Sequence, residues 1–333
     1  MRPRANDRPM TAKLNFILLE GFMSFDELMV HLIVSCNRNL EDSRTARRQE
    51  WSAKHEYVNN QLTRSDPYQT PSDLMLDLPA SDASNKDKIG DLRHRLGSFY
   101  PYRELSFDVK SVRIDYLLPL QYQINLEHIA ELSKTIRPRM AEPALLDLCI
   151  DLRGEADPSL MRQQFRTSQE GAGSAIFTSE SEDLRLRAVE CRDVYVHERE
   201  GRPLAETRAK AVVLMFGRGD PFVSAFSTYR MVAGPDGRAV KRPLIILNNG
   251  LHRAFALKRA GYTHMPCVVA DLTPATEASY LMNWGPRLGY LNLNRPPLVK
   301  DFLNSGLTSL ISAPAKRSML RLNWSSELLQ IFD

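Results

Sequence analysis

Residues 244–269 read LIILNNGLHRAFALKRAGYTHMPCVV, and the fold is decided in this stretch. Leu244 to Leu247 is a run of four apolar residues with two isoleucines, the pattern of a short buried strand. Asn248-Asn249-Gly250 is a turn able to take positive φ. A helix is predicted next: Leu251, Ala254, Phe255, Ala256 and Leu257 form one apolar face, with Arg253, Lys258 and Arg259 on the other. Gly261 suits the position just past a helix end, and Met265 to Ala270 resumes as a strand. Such a unit of strand, glycine turn, helix and strand aims the unpaired N–H groups of the helix's first turn at one spot. His252 and Arg253 stand beside that spot, and together they favour an anion.

The surroundings of this stretch are basic. Between Arg238 and Ala270 lie Arg238, Lys241, Arg242, Arg253, Lys258 and Arg259, with no Asp or Glu. Such a window is either a solvated basic face or a local positive field that recruits an anion. The whole chain carries only +4 over 333 residues, so composition alone does not demand nucleic acid. With 43% hydrophobic and 25% charged residues it has the balance of a folded globular protein. Its four cysteines (Cys36, Cys149, Cys191, Cys267) show no CxxC spacing and read as buried thiols in a reducing compartment. No signal peptide is read at the N-terminus, where Glu20 interrupts the apolar run, and no stretch approaches the roughly 20 apolar residues of a membrane span. A cytoplasmic location away from membranes is therefore expected.

Outward from the centre, Ser24-Phe25-Asp26-Glu27 has the form of a capping box, followed by a helix over about 25–36. Residues 41–62 suggest a second, mostly solvated helix with Trp51, Tyr57 and Val58 on its buried side. From Thr63 to Asp91 the composition turns to Ser, Asp, Pro and Asn and reads as a linker or long loop. Ser111 to Leu118 reads as a strand stopped by Pro119, Asn125 as the N-cap of a helix, and Ala144 to Leu152 as an apolar, strand-like run. Gly154 to Glu182 resembles a surface insertion. Arg185 to His197 and Lys210 to Phe216 read as strands, the second apolar enough to be central. Ser224 to Val232 is a further strand candidate, Thr276 to Asn283 is helical, Val299 to Asn304 is a short helix, and Met319 to Asn323 is a last strand. The division expected is an N-terminal helical region with linker (1–92), a core (105–272) with an insertion at about 153–210, and a C-terminal extension (273–333).

Gly250-x-His252-Arg253-x-x-Ala256 resembles the signature loop of the ParB/sulfiredoxin superfamily, Gly-x-His/Arg-Arg-x-x-Ala. Pro119-Leu120-Gln121-Tyr122-Gln123, with the helix carrying Ile129-Ala130-Glu131-Leu132-Ser133-Lys134-Thr135-Ile136, looks like that superfamily's upstream Pro-x-Gln and helix. Met265-Pro266-Cys267-Val268-Val269 is similar to its Val-Pro-Val-Ile-Val strand. The resemblance covers about Ser111 to Ala270 and implies an α/β fold of the α+β mixed-sheet kind. In such a fold the loop would hold a nucleoside triphosphate, ATP or CTP, usually with Mg²⁺. The residues implied are Asn248, Asn249, Gly250, Leu251, His252 and Arg253, joined by Gln121 and Arg218, with His252 and Arg253 also the catalytic candidates. Asp220, in the turn Gly217-Arg218-Gly219-Asp220-Pro221, is the candidate metal ligand.

This loop departs from the CTP-binding pattern at Leu251 and His252. It departs from the small-molecule kinase pattern at Asn249 and Gln121, where a carboxylate that could act as base or metal ligand is missing. Position 251 also lacks the sulfiredoxin cysteine. The expectation is a nucleotide-gated, DNA-associated switch or a weak NTPase or nuclease, with non-specific DNA as a partner and a protein partner at the N-terminal helices or insertion. The alternatives are a non-catalytic protein-interaction module of the same fold and a small-molecule phosphotransferase.

Overall fold

The computed structural model describes residues 13–36, 44–78, 83–96, 105–150, 161–167, 173–179, 184–196, 207–218, 222–233, 237–281, 289, 291–314 and 318–324. Contacts divide the chain into two compact units, Met1–Leu152 with Phe222–Ala315, and Arg153–Pro221 with Lys316–Asp333. The N-terminal helices and most of the tail thus belong to the same unit as the central strands.

In chain order the elements are β1 (Lys13–Leu18), α1 (Phe25–Cys36), α2 (Arg44–Glu56), a π-helical segment (Tyr57–Leu62) ending in the single turn α3 (Thr63–Ser65), β2 (Met75–Asp77) and α4 (Ala83–Leu96). There follow β3 (Phe107–Arg113), a 3₁₀ turn (Ile114–Tyr116), β4 (Leu117–Pro119), β5 (Gln123–Asn125), α5 (Leu126–Thr135) and α6 (Glu142–Cys149). The second unit contributes β6 (Met161–Thr167), β7 (Gly173–Ser179), β8 (Leu184–Val196) and β9 (Thr207–Arg218). The chain returns with β10 (Ser224–Ala233), β11 (Ala239–Asn249), α7 (Leu251–Arg259), β12 (His264–Asp271), α8 (Pro274–Leu281), a 3₁₀ turn (Val299–Leu303), β13 (Ser309–Pro314) and β14 (Ser318–Trp324).

The first unit is built on a mixed six-stranded sheet in the order β2-β3-β12-β10-β11-β4. In it β10–β12 and β11–β4 run parallel, and the other pairs run antiparallel. A second sheet, β13-β1-β5, is antiparallel. The protein is therefore a mixed α+β fold. Leu244–Leu247, Val268 and the α7 residues Ala254–Leu257 lie in its core, and Phe302 meets Phe255 edge-on at 6.2 Å. In the second unit β14-β7-β6 form one sheet and β8-β9 a separate hairpin. Among the described residues, no helix is long and apolar enough to cross a membrane.

Local signals hold where they are strong. Ser24 N–H donates to Glu27 Oε2 at 2.9 Å and Glu27 N–H to Ser24 Oγ at 3.2 Å, the reciprocal pair of a capping box. Asn125 Oδ1 accepts from His128 N–H at 3.1 Å. Several expectations are corrected. The run from Ala144 lies in helix α6, because Pro143 sits in a helix's first turn, where its missing N–H costs nothing. The expected strand at 111–118 is two strands, β3 and β4, with a 3₁₀ turn between them. The linker at 63–91 contains β2, which adds to the main sheet beside β3, and most of α4. The apolar strand at 210–216 is not central: among the described residues β9, which contains it, pairs with β8 alone. Lys13–Leu18 is a strand held between β5 and a partner near the other end of the chain.

Candidate functional site

Strand β11 pairs with β4 in parallel, Leu247 opposite Pro119, so the residues that follow each strand leave the sheet at the same end. Pro119-Leu120-Gln121 and Asn248-Asn249-Gly250 are thereby brought together. A direct bond joins the two segments a few residues on: Asn125 N–H donates to His252 Nε2 at 3.0 Å. Gln121 itself is half-buried in the connection between β4 and β5.

Gly250 is the N-cap of α7 and is left-handed, φ +100° and ψ +19°. A Cβ there would lie 2.8 Å from Val223 Cγ2 and 3.0 Å from Cγ1. Both the backbone angle and the space admit only glycine without rearrangement. After it the helix turns inward: Leu251 is 3% exposed and its side chain belongs to the core. Ala254 N–H bonds to Gly250 O at 2.9 Å, whereas the N–H groups of Leu251 and His252 have no partner among the described residues. Those two amides are what the turn offers a ligand.

The side chains expected to grip a ligand are engaged with the fold. Asn248 Nδ2 donates to Ser224 Oγ at 3.1 Å, and Asn249 Nδ2 to Phe222 O at 2.9 Å. Arg253 Nη1 donates to Cys149 O at 3.2 Å, at the carboxyl end of α6, where a cation is favoured. His252 accepts at Nε2, so its ring proton sits on Nδ1 and any hydrogen bond it gives leaves from there. Burial, followed by the neighbouring His128 and Arg253, depresses the His252 pKa to about 3. The His128 ring meets it edge-on at 4.9 Å. His252 is thus neutral near pH 7.

A pH dependence follows. The unfolded chain binds a proton at this histidine near pH 6.5 and the folded chain only near 3, so the unfolded state binds more protons between those values. Stability due to His252 is therefore complete above pH 6.5 and is lost as pH falls, by about 2 kcal/mol at pH 5. Urea midpoints at pH 7.5 and 5 measure this. His252→Gln, which can accept from Asn125 N–H without titrating, should show the smaller drop; an equal drop would remove His252 as the cause.

Half of the basic window faces solvent, at Arg238, Lys241 and Arg259, while Arg242, Arg253 and Lys258 are engaged within the fold. Arg242, 7% exposed, donates to the carbonyls of Leu291, Leu293 and Asn294 and lies over the Tyr68 ring at 5.6 Å. Lys258 pairs with Asp115 at 2.6 Å, and Lys241 sits 4.6 Å over the Tyr229 ring. The acid-free run is acid-free only in sequence. Asp115 and main-chain carbonyls from elsewhere complete it, and the expected solvated positive face is reduced accordingly. Cys149 and Cys267 are free thiols with no exposed surface, and burial pushes Cys149 up to about 12. Arg218 ends β9 in the second unit, and its side chain is outside the described residues, as is Asp220 altogether. Among the described residues, no group of three or more His, Cys, Asp or Glu side chains is placed to hold a metal.

Sequence reasoning missed Asn125 as the partner of His252, and Cys149, Phe222 and Val223 as the walls of the turn. No local pattern marks a residue whose role is to offer a carbonyl or a methyl to a distant loop. The fold and turn define a class, a mixed α+β protein with a glycine-opened strand-to-helix turn. Comparisons with protein-family models, with curated proteins and with solved structures return no match.

Proposed function

We propose that the protein is a nucleoside-triphosphate-binding relative of the ParB/sulfiredoxin superfamily that holds its nucleotide, ATP or CTP, at the turn Asn249–Arg253 and does little chemistry on it. The observation that carries the reading is the meeting of the two signature segments, Pro119–Gln121 and Asn248–Arg253, at one end of the sheet. The amides of Leu251 and His252 would take phosphate oxygens at the positive end of α7, and Arg253 could add a charge-assisted pair. Neither 248–253 nor the adjoining 222–224 contains an acidic residue, so these residues do not fit a resident Mg²⁺ site. His252, neutral and already accepting a hydrogen bond, is poorly suited to act as a general acid or base. Binding is therefore favoured over NTPase, nuclease or phosphotransferase activity. DNA association is the weaker part of the reading, since Arg242, Arg253 and Lys258 are engaged internally.

A second reading, a non-catalytic protein-interaction module of the same fold, draws on the same engagement of Arg253 and His252. Melting curves with ATP, CTP, GTP and ADP, with and without Mg²⁺, separate the two. A nucleotide at about 100 times its Kd stabilises by about 2.7 kcal/mol and raises Tm by about 5 °C or more. Arg253→Ala is expected to abolish that rise, whereas Lys258→Ala, which loses only the pair with Asp115, keeps it. Equal responses of the two variants, or no rise with any nucleotide, would leave the interaction module. Phosphate release at the buffer rate is expected, and a gel shift that weakens steeply with salt would restore DNA as a partner.

A further inference from the structure

Helices α5 and α7 end side by side. Tyr262, just past the end of α7, sends its hydroxyl into the bend that follows α5: Oη donates to Arg137 O at 2.6 Å and accepts from Met140 N–H at 2.6 Å. One phenol thus closes the segment Arg137-Pro138-Arg139-Met140 at both ends. Within it the ring of Pro138 fixes its own φ, and Arg139 stands at φ +58°, the one non-glycine residue with positive φ among the described residues. Glycine or asparagine would take that conformation at lower cost, so an arginine held there points to its side chain as the reason for it. Arg137 and Arg139 are exposed, as is Arg259 in the last turn of α7. Among the described residues, none of these three guanidinium groups has an ion pair or a hydrogen bond.

We propose that Arg137, Arg139 and Arg259 form a docking surface for an acidic segment of another protein, a short run of carboxylates or of phosphorylated serines. The surface lies at the end of α7 opposite the glycine turn, about 13 Å away at the helical rise, and does not rest on the nucleotide reading. The two helix ends offset only part of its charge: each carboxyl end carries about −0.5, so three guanidinium groups leave roughly +2. Residues 135–141 and 259–270 contain no Asp or Glu to take up the remainder. The chemistry then selects a peptide. All three cations are arginines, whose planar forks pair bidentately with carboxylate or phosphate. The loop that presents two of them is already held by Tyr262 and Pro138, so little freedom is lost on binding. The patch is also small. Three charges suit a short acidic run, whereas duplex nucleic acid draws its affinity from many phosphate contacts, and these segments hold no exposed Phe, Tyr or Trp on which a single-stranded base could stack.

Fluorescence anisotropy tests this with the full chain at low salt and four labelled probes: hexaglutamate, a phosphoserine hexapeptide, hexaglutamine and a short DNA duplex. At least one acidic peptide is expected to bind about tenfold or more tighter than hexaglutamine, and the tighter of the two identifies the source of the oxyanions. Arg139→Gly should weaken that binding about tenfold while leaving Tm unchanged or higher, since glycine takes the left-handed conformation without strain. Tyr262→Phe keeps all three arginines and releases the loop, and should weaken binding about threefold through lost preorganisation. Lys241→Ala removes an exposed cation elsewhere and should change binding less than about twofold. Equal binding of acidic peptides and hexaglutamine, wild-type affinity in Arg139→Gly, or a loss in Lys241→Ala as large as that in Arg139→Gly overturns the docking surface. A duplex bound more tightly than either peptide, and released by Arg139→Gly, overturns the acidic peptide as the partner in favour of nucleic acid.

Discussion

Arg295→Ala is expected to lower stability by about 3–5 kcal/mol, among the largest losses available to a single substitution in this chain. The Arg295 side chain has no exposed surface. Its Nη1 and Nη2 donate to the two oxygens of Asp301 at 3.0 and 2.6 Å, Nε donates to Asp66 O at 2.8 Å, and Nη1 also reaches Pro296 O at 2.6 Å. Truncation leaves Asp301, 4% exposed, with the Leu298 N–H at 2.8 Å and no buried cation to balance it. Lys300→Ala is the contrast. Lys300 pairs at 2.8 Å with Asp66, whose side chain is 40% exposed, and such a pair is worth about 1 kcal/mol or less. The loss in Arg295→Ala should also depend on pH. Burial pushes the Asp301 carboxyl above the usual carboxylate range. Without the guanidinium it rises further, so the folded variant binds a proton that the unfolded chain has released. A group with a raised folded pKa adds stability at low pH that is lost as pH rises, and the defect should be smaller at pH 5 than at pH 8. Urea unfolding of both variants at the two pH values measures this; a cost for Arg295→Ala no larger than for Lys300→Ala would show that the buried cluster is not holding the tail.

That cluster lies beside the site in the fold. Asp301 and Phe302 belong to one 3₁₀ turn, and Phe302 packs against Phe255 of α7. Nothing near 295 in sequence announces this. What is legible in a sequence is what is local. Leu244–Val269 keeps the order read, strand, glycine, helix, glycine, strand, but β11 begins at Ala239 and runs on through Asn248 and Asn249, so the expected three-residue turn shrinks to the left-handed Gly250; periodicity and the two glycines at 250 and 261 set the other steps within a few residues. The caps at Ser24 and Asn125 were legible for the same reason. The short apolar run from Ala144 fits helix or strand alike, and the signal that decides it is Pro143, which can open a helix as readily as it closes one. Strand β1 has no local signal, because its partners are at 123–125 and 309–314. In the candidate site Gly250 was legible. The duties of Arg253 and His252 were not, since the groups that engage them, Cys149 O and Asn125 N–H, are more than a hundred residues away. A basic window can likewise be counted in a sequence, but which of its cations are taken up by distant carbonyls or by Asp115 cannot.

One signal was available and points to the second large effect. Glu20 stands inside the apolar run Leu18-Leu19-Glu20-Gly21-Phe22-Met23, and a charge flanked in this way is either a surface interruption or the centre of a buried ion cluster. The structure shows the second. Glu20 has no exposed surface; Lys54 Nζ lies 2.8 Å from Oε2, Arg47 Nη2 lies 3.1 Å from Oε1, and the Ser309 hydroxyl donates to Oε2. Three stretches distant in sequence, the turn after β1, helix α2 and strand β13, converge on one carboxylate. Glu20→Ala is therefore expected to cost about 3–5 kcal/mol, since it strands two cations whose side chains are only 18% exposed. Glu20→Gln keeps the shape and one acceptor, loses the charge, and should recover only part of the loss. Replacing Glu20, Arg47 and Lys54 together by Leu or Met should come back close to wild type, because no buried charge is then left unpaired. Denaturant unfolding of the three variants separates charge from packing. If the triple variant is no more stable than Glu20→Ala, the cavity left by the side chains dominates, and the ion cluster is not what joins β13 to the N-terminal turn.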